Sequence, residues 1–147
     1  MFKHLLVPVD GSDLSDRAMQ ASVDLARQLG AAITGFVAEP LQPPMSESRP
    51  RTLWVVDARE HDALAAAHAS PVLEKFAALA SAAGVPFEGF HDQVPRVDHA
   101  IIHAAESRGC DLIVMVTHGR GAFGEFLFGS QTKAVLAGSK LPLLVLH

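Results

Sequence analysis

Three short aliphatic runs, at residues 5–9, 112–116 and 141–146, carry no alternating polar positions. A strand with one wet face alternates apolar and polar side chains; a strand buried on both faces does not. These runs therefore predict parallel strands covered by helices on both sides. Each is far too short to cross a bilayer. What lies between them must supply the covering layers, and that requirement organises the rest of the chain.

The first run ends at Asp10-Gly11-Ser12-Asp13, a turn cluster rich in helix-capping residues. Ala18, Ser22, Leu25, Ala26 and Leu29 then fall on one helical stripe, and Gly30 stands where a helix-ending glycine belongs. Residues 33–37 read as a second strand, which gives strand–helix–strand and a right-handed crossover. From 39 to 57 the prolines at 40, 43, 44 and 50 and several charged residues predict a long surface loop. A helix from about residue 58 carries Val72, Phe76, Leu79, Ala80 and Ala83 on one stripe, with Pro71 marking a kink or a new first turn. A weak strand at 86–91 follows, its opening proline suited to a strand end or sheet edge. A helix at 97–107 with Ile101, Ile102 and Ala105 inward, a strand at 111–117, a helix at 130–137 and a strand at 141–146 complete the chain. The expected fold is α/β: an open five-stranded parallel sheet with helices on both faces, in a single domain over 1–147.

Composition matters here for what it excludes. A formal net charge of −4 argues against nucleic acid or an anionic membrane as partner. One cysteine, Cys110, has no partner within the chain, which suits a reducing compartment, and no signal-like amino terminus precedes the first strand. The expected localisation is cytoplasmic.

In such sheets the ligand sits beyond the carboxyl ends of the strands, where strand order reverses. Three segments leave strands on that edge: Pro8-Val9-Asp10-Gly11-Ser12, Val37-Ala38-Glu39-Pro40, and 117–130. Asp10 lies at a strand end and suits donors on adenine or ribose. Asp13 and Asp16 read as helix-start acids in the favourable field of the helix amino end. In 117–130 glycines at 119, 121, 124 and 129 let backbone amides approach a polyanion, and Ser130 can donate to the same anion or cap its own helix. Two formal motifs fail: Gly119-x-Gly121-x-x-Gly124 lacks the following helix and acidic residue of the dinucleotide fingerprint. Glu125 and Phe126 stand where a P-loop needs Lys and Ser or Thr.

Leu6-Val7-Pro8-Val9-Asp10-Gly11-Ser12, Cys110-Asp111-Leu112-Ile113-Val114-Met115, Thr117-His118-Gly119-Arg120 leading to Gly129-Ser130, and Leu141-Pro142-Leu143-Leu144-Val145 together resemble the universal stress protein family. The resemblance runs from Lys3 to the carboxyl terminus. It implies a Rossmann-like fold of the adenine-nucleotide alpha-hydrolase type and a usually dimeric protein whose nucleotide-binding branch carries Gly-x-x-Gly, nine residues, then Gly-Ser/Thr. Gly119, nine residues and Gly129-Ser130 satisfy the second part, whereas Val116 replaces the first glycine. Its isopropyl group is harmless if turned into the core and obstructive if turned toward a ribose. The resemblance further implies ATP or ADP, with or without Mg, as ligand. Asp10 would then contact the adenosine, Val37 the adenine through its backbone and Met115 the ribose region. Gly119, Gly129, Ser130 and Gln131 would hold phosphates. Arg120 is the cation within the loop, Lys133 a further candidate, and His118 contacts the ligand or orients the turn.

The remaining chemistry-bearing residues have plainer readings. His99 and His103 share a helix face but lack completing ligands, so they read as a solvated face. Cys110 packs at the start of a strand. Trp54 and Phe123 cover the pocket or anchor their loops. The expected function is an ATP- or ADP-binding stress-response regulatory module, with slow hydrolysis at most and an unknown signalling partner. Its rivals are a nucleotide-free dimeric interaction module and an adenylyl- or phosphoryl-transfer enzyme. The final strand, left as an apolar sheet edge, predicts a homodimer.

Overall fold

A computed structural model describes residues 1–41, 51–117 and 129–147, excluding the side chains of 51–58. The chain runs β1 (His4–Pro8), α1 (Asp13–Leu29), β2 (Ala32–Pro40), α2 (Arg51–Ala82), β3 (Phe87–Val94), α3 (Val97–Ser107), β4 (Leu112–Val116), α4 (Ser130–Gly138) and β5 (Leu143–Leu146). The strands form one parallel sheet in the order β3-β2-β1-β4-β5. The chain builds outward from β1 to β3, then crosses back to place β4 on the other side of β1. Strand order therefore reverses between β1 and β4.

The aliphatic runs are buried on both faces, as their lack of alternation requires. Leu5, Val7, Leu112 and Val114 point to one side, where Ala18, Met19, Val23 and Ala26 of α1 and Ala69, Phe76 and Ala80 of α2 cover them. Leu6, Ile113 and Met115 point to the other, under Ile101, Ala104 and Ala105 of α3 and Val135 of α4. Each large aliphatic or aromatic side chain so enclosed contributes about 1.5–3 kcal/mol relative to exposure. Gly35 in β2 is needed for packing: a Cβ there would stand 2.8 Å from the Phe87 ring and 3.0 Å from that of Phe76. Those rings pack with centroids 4.8 Å apart.

Helix ends follow local chemistry. Ser12 caps α1 through its hydroxyl, and Gly30, at φ 62°, closes it in the left-handed region.

Several element boundaries differ from the sequence expectation. The segment 39–57 is not all loop: β2 continues through Pro40, and α2 already begins at Arg51. Beyond Phe36, β2 pairs with β3 alone, because β1 has ended. On that open side Pro40 forfeits no ladder bond by lacking an N–H. Pro71 does not start a new helix; α2 passes through it. The strand expected at 86–91 extends to Val94 and forms a sheet edge. The last strand is shorter than expected, Leu143–Leu146, and forms the other edge, half-buried along its length.

Candidate functional site

A cavity of about 330 Å³ opens at the carboxyl ends of β1 and β4, the position of strand-order reversal. Pro8, Val9 and Asp10 approach from β1 and its turn, Met115, Val116 and Thr117 from β4, and Ala38 from the end of β2. Ser12, Ser15 and Ala18 of the α1 start, Val97 and Ile101 of α3, and Gly129 to Thr132 of the α4 start close the walls. Segments more than a hundred residues apart in sequence thus meet on one surface. A second depression, about 540 Å³, lies between β3 and α3 over Phe36 and Phe90. It is larger, but it sits away from the reversal and its arginines are already paired: Arg96 with Asp98 at 2.7 Å, and Arg108 with Glu88.

The β1 turn is internally bonded. The Asp10 amide donates to Ser15 Oγ at 2.7 Å, and the Ser15 hydroxyl donates back to Asp10 Oδ1 at 2.7 Å. The Ser12 amide donates to the same carboxylate oxygen at 3.0 Å. Burial opposes the Asp10 charge. Hydrogen bonds from the Ser12 and Ser15 side chains and the Ser12 amide, together with nearby His68, outweigh it and hold the carboxyl below its ordinary range. Asp10 is thus an anchored carboxylate whose Oδ2 accepts no hydrogen bond among the described residues. Asp13 and Asp16 are first-turn acids of α1, and Asp16 pairs with Lys75 at 2.6 Å.

The opposite wall is left open. Gly129 precedes α4 without a capping side chain, and the first helical bond is made by the Lys133 amide to Gly129 O at 3.1 Å. The amides of Ser130, Gln131 and Thr132 therefore have no partner in the helical ladder, and they carry the positive end of the helix field. Ser130 does not cap its own helix; it is the first helical residue, with an exposed side chain. Among the described residues, a Cβ built on Gly129 meets nothing within 4 Å.

Val116 has a mixed position. It packs partly against the α1–α2 core, on the side opposite Met115, and it also lines the cavity. Val37 is buried in the same core, so only its backbone can face a ligand; Ala38 supplies the side chain at the cavity. Lys133 is absent from the cavity lining among the described residues. His118, Gly119 and Arg120, with Phe123, Glu125 and the other residues of that loop, lie outside the described residues, as does the Trp54 side chain.

Sequence reasoning missed Ala38, Ile101 and Thr132. Ala38 follows from strand alternation with Phe36, once the register of β2 is known; Ile101 and Thr132 carry no signal separable from core packing. His99 and His103 border the second depression, and no cluster of three or more His, Cys, Asp or Glu fit for a metal occurs among the described residues. Cys110 is buried, and burial pushes its thiol up to about 11, which makes it a poor nucleophile at neutral pH.

Comparison with known proteins agrees with this architecture. The family model described as "Universal stress protein family" matches residues 1–147. A universal stress protein of Thermus aquaticus, from the region 3′ of a QAH/OAS sulfhydrylase, is 32% identical over 153 residues and covers 100% of both chains. Among solved structures, a universal stress protein in complex with cAMP superposes with a TM-score of 0.69 at 23% identity, over 99% of this chain and 97% of that one. Another, from Archaeoglobus fulgidus in complex with dAMP, gives 0.64 at 17% identity, over 99% and 98%. At these identities the structural likeness establishes the fold.

Proposed function

The chain belongs to the universal stress protein family, and we propose that it is a stress-response regulatory module binding an adenine nucleotide, ATP or ADP, in the cavity between β1 and β4. One observation carries this reading. An anchored carboxylate and an uncapped helix start face a single cavity at the strand-order reversal. The two walls suit opposite ends of such a molecule. Asp10 accepts from ribose hydroxyls or the adenine amino group, and the amides of Ser130 and Gln131 donate to phosphate oxygens beside Gly129. Complexes of related folds with cAMP and dAMP support adenine as the base. Gly119, His118 and Arg120 complete the phosphate side on the strength of the family resemblance.

Regulation is proposed as the role on the strength of the family resemblance; Asp10, the one carboxylate among the described lining residues, has its Oδ1 held by Ser12 and Ser15 and its Oδ2 left for the ligand. The test is calorimetric titration with ATP, ADP, AMP and cAMP. Saturable heat for at least one nucleotide is expected; no heat and no thermal shift at millimolar concentration of any would overturn the reading.

β5 supports a homodimer as the assembled form. Leu143–Leu146 lies at a sheet edge and is half-buried, an apolar edge that a second copy would cover. Light scattering is expected to give twice the chain mass at micromolar concentration, and a monomer throughout would contradict it. A lone, buried, unreactive cysteine fits the cytoplasm. No helix among the described residues is long and apolar enough to cross a membrane.

A further inference from the structure

His68 of α2, itself outside the cavity lining, touches two strand ends that border the cavity. Its Nδ1 meets Oε1 of Glu39, at the end of β2. Its other nitrogen, Nε2, lies against the β1 turn: a Cβ on Gly11 would sit 3.4 Å from it and 3.0 Å from Val72 Cγ2. The Asp10-Gly11 turn is thus packed against the ring nitrogen that Glu39 does not touch. Gly11 itself adopts φ +83°, so this is a tight turn pressed directly against α2.

A neutral imidazole donates from one nitrogen only, whereas an imidazolium donates from both. A carboxylate at Nδ1, with the Asp10 turn packed against Nε2, therefore matches the cation. The other groups around it do not compete. His61 of α2 lies two turns away, beside a small depression that Glu39, His68 and Gln93 also line, and Gln93 of β3 is engaged by Asp62 at 2.7 Å. From α1, Asp16 is taken by Lys75. Glu39 and Asp10 are the acidic groups acting on the ring.

We infer that His68 is a positioning residue: as an imidazolium bridging Glu39 and the Asp10 turn, it holds that turn in place for the nucleotide. Ligand affinity is thereby pH-dependent. The ligand half of this inference rests on the function proposed above; the bridge itself is a property of the chain. The Glu39 hydrogen bond raises the His68 pKa above 6.5, partial burial opposes it, and the Glu39 and Asp10 charges add to the rise. Stabilisation from a raised histidine is complete below its unfolded value, near 6.5, and is lost as pH rises through the folded value. With 51% of the His68 side chain exposed, salt screens the bridge and the effect is modest.

The test follows amide exchange at Gly11 and Ser12, and the affinity for cAMP, from about pH 5.5 to about pH 8.5. Cyclic AMP is chosen because its phosphodiester keeps one charge across that range. In the unaltered protein, protection of those amides, corrected for intrinsic rate, and cAMP affinity are each expected to fall about threefold to tenfold. His68→Gln and Glu39→Gln should both flatten the profiles at the level of the unaltered protein at high pH. A flat profile in the unaltered protein, or a full pH dependence retained in His68→Gln, would overturn the inference. Absence of all nucleotide binding would refute the proposed function instead, and the exchange profile would still decide the bridge.

Discussion

The two walls of the cavity are built on opposite plans. At the end of β1 the turn spends its polar groups on itself: Asp10, Ser12 and Ser15 form a closed set of hydrogen bonds. At the start of α4 the amides of Ser130, Gln131 and Thr132 have no helical partner, and among the described residues nothing stands within 4 Å of a Cβ at Gly129. The first wall is held by its own hydrogen bonds with only Asp10 Oδ2 to spare; in the function proposed above, the second is completed by the ligand. A rigid acceptor on one side and unspent donors on the other distinguish a binding site from two ordinary loops.

The sharpest way to break this contrast is to finish the open wall artificially. In Gly129→Asp a carboxylate can cap the α4 amides and repel phosphate. ATP affinity should fall about a hundredfold, while thermal stability holds or rises by a few tenths of a kcal/mol. Calorimetry and a melting curve read both signs, and a fall in stability parallel to the loss of affinity would show that Gly129 is merely structural. Asp10→Ala attacks the finished wall. It should weaken the nucleotide about tenfold and also cost about 1–2 kcal/mol of folding stability, measured by urea unfolding. Because the Asp10 carboxyl is held low, its contribution is present above 3.8 and is lost as pH falls through the folded value. Acid titration of the Asp10→Ala protein should accordingly show a shallower decline below that point.

How much of this could be read from the sequence depends on which force fixed each residue. The sheet and its helices were legible because double-sided burial leaves an unmistakable signature in residues 5–9 and 112–116. Asp10 and Gly129-Ser130 were legible because they directly flank predicted elements at the ligand edge. Ala38, Ile101 and Thr132 were not, since each is chosen by which strand or helix stands next to it, and strand order is not written locally. The early start of α2 was hidden by the prolines before it and by Val55 and Val56, whose branching suits strands better than helices. The extension of β2 to Pro40 was hidden because proline is acceptable there only once β1 has stopped.

Smaller changes sharpen the contrast without destroying either wall. Ser15→Ala removes the hydroxyl that receives the Asp10 amide and returns a bond to its carboxylate. About 1 kcal/mol of stability should go, with a threefold to fivefold weaker nucleotide. Equal loss of affinity and stability is expected here, unlike the divided response at Gly129. Val116→Gly should lower stability as Asp10→Ala does but move affinity the other way. Removing the isopropyl group enlarges the cavity at the end of β4 and sacrifices packing against the α1–α2 core. Affinity should rise about twofold to threefold while stability drops by about 1 kcal/mol, a combination that competition binding and melting curves would resolve.

The most direct test of the central claim maps the ligand residue by residue. In an amide NMR titration with ATP, shifts should concentrate at Asp10–Ser12, Ala38, Met115–Thr117 and Gly129–Thr132, so that both walls respond in the same saturable step. Shifts confined to the depression between β3 and α3, near Phe90 and Arg108, or a response of the β1 turn without the α4 start, would contradict it.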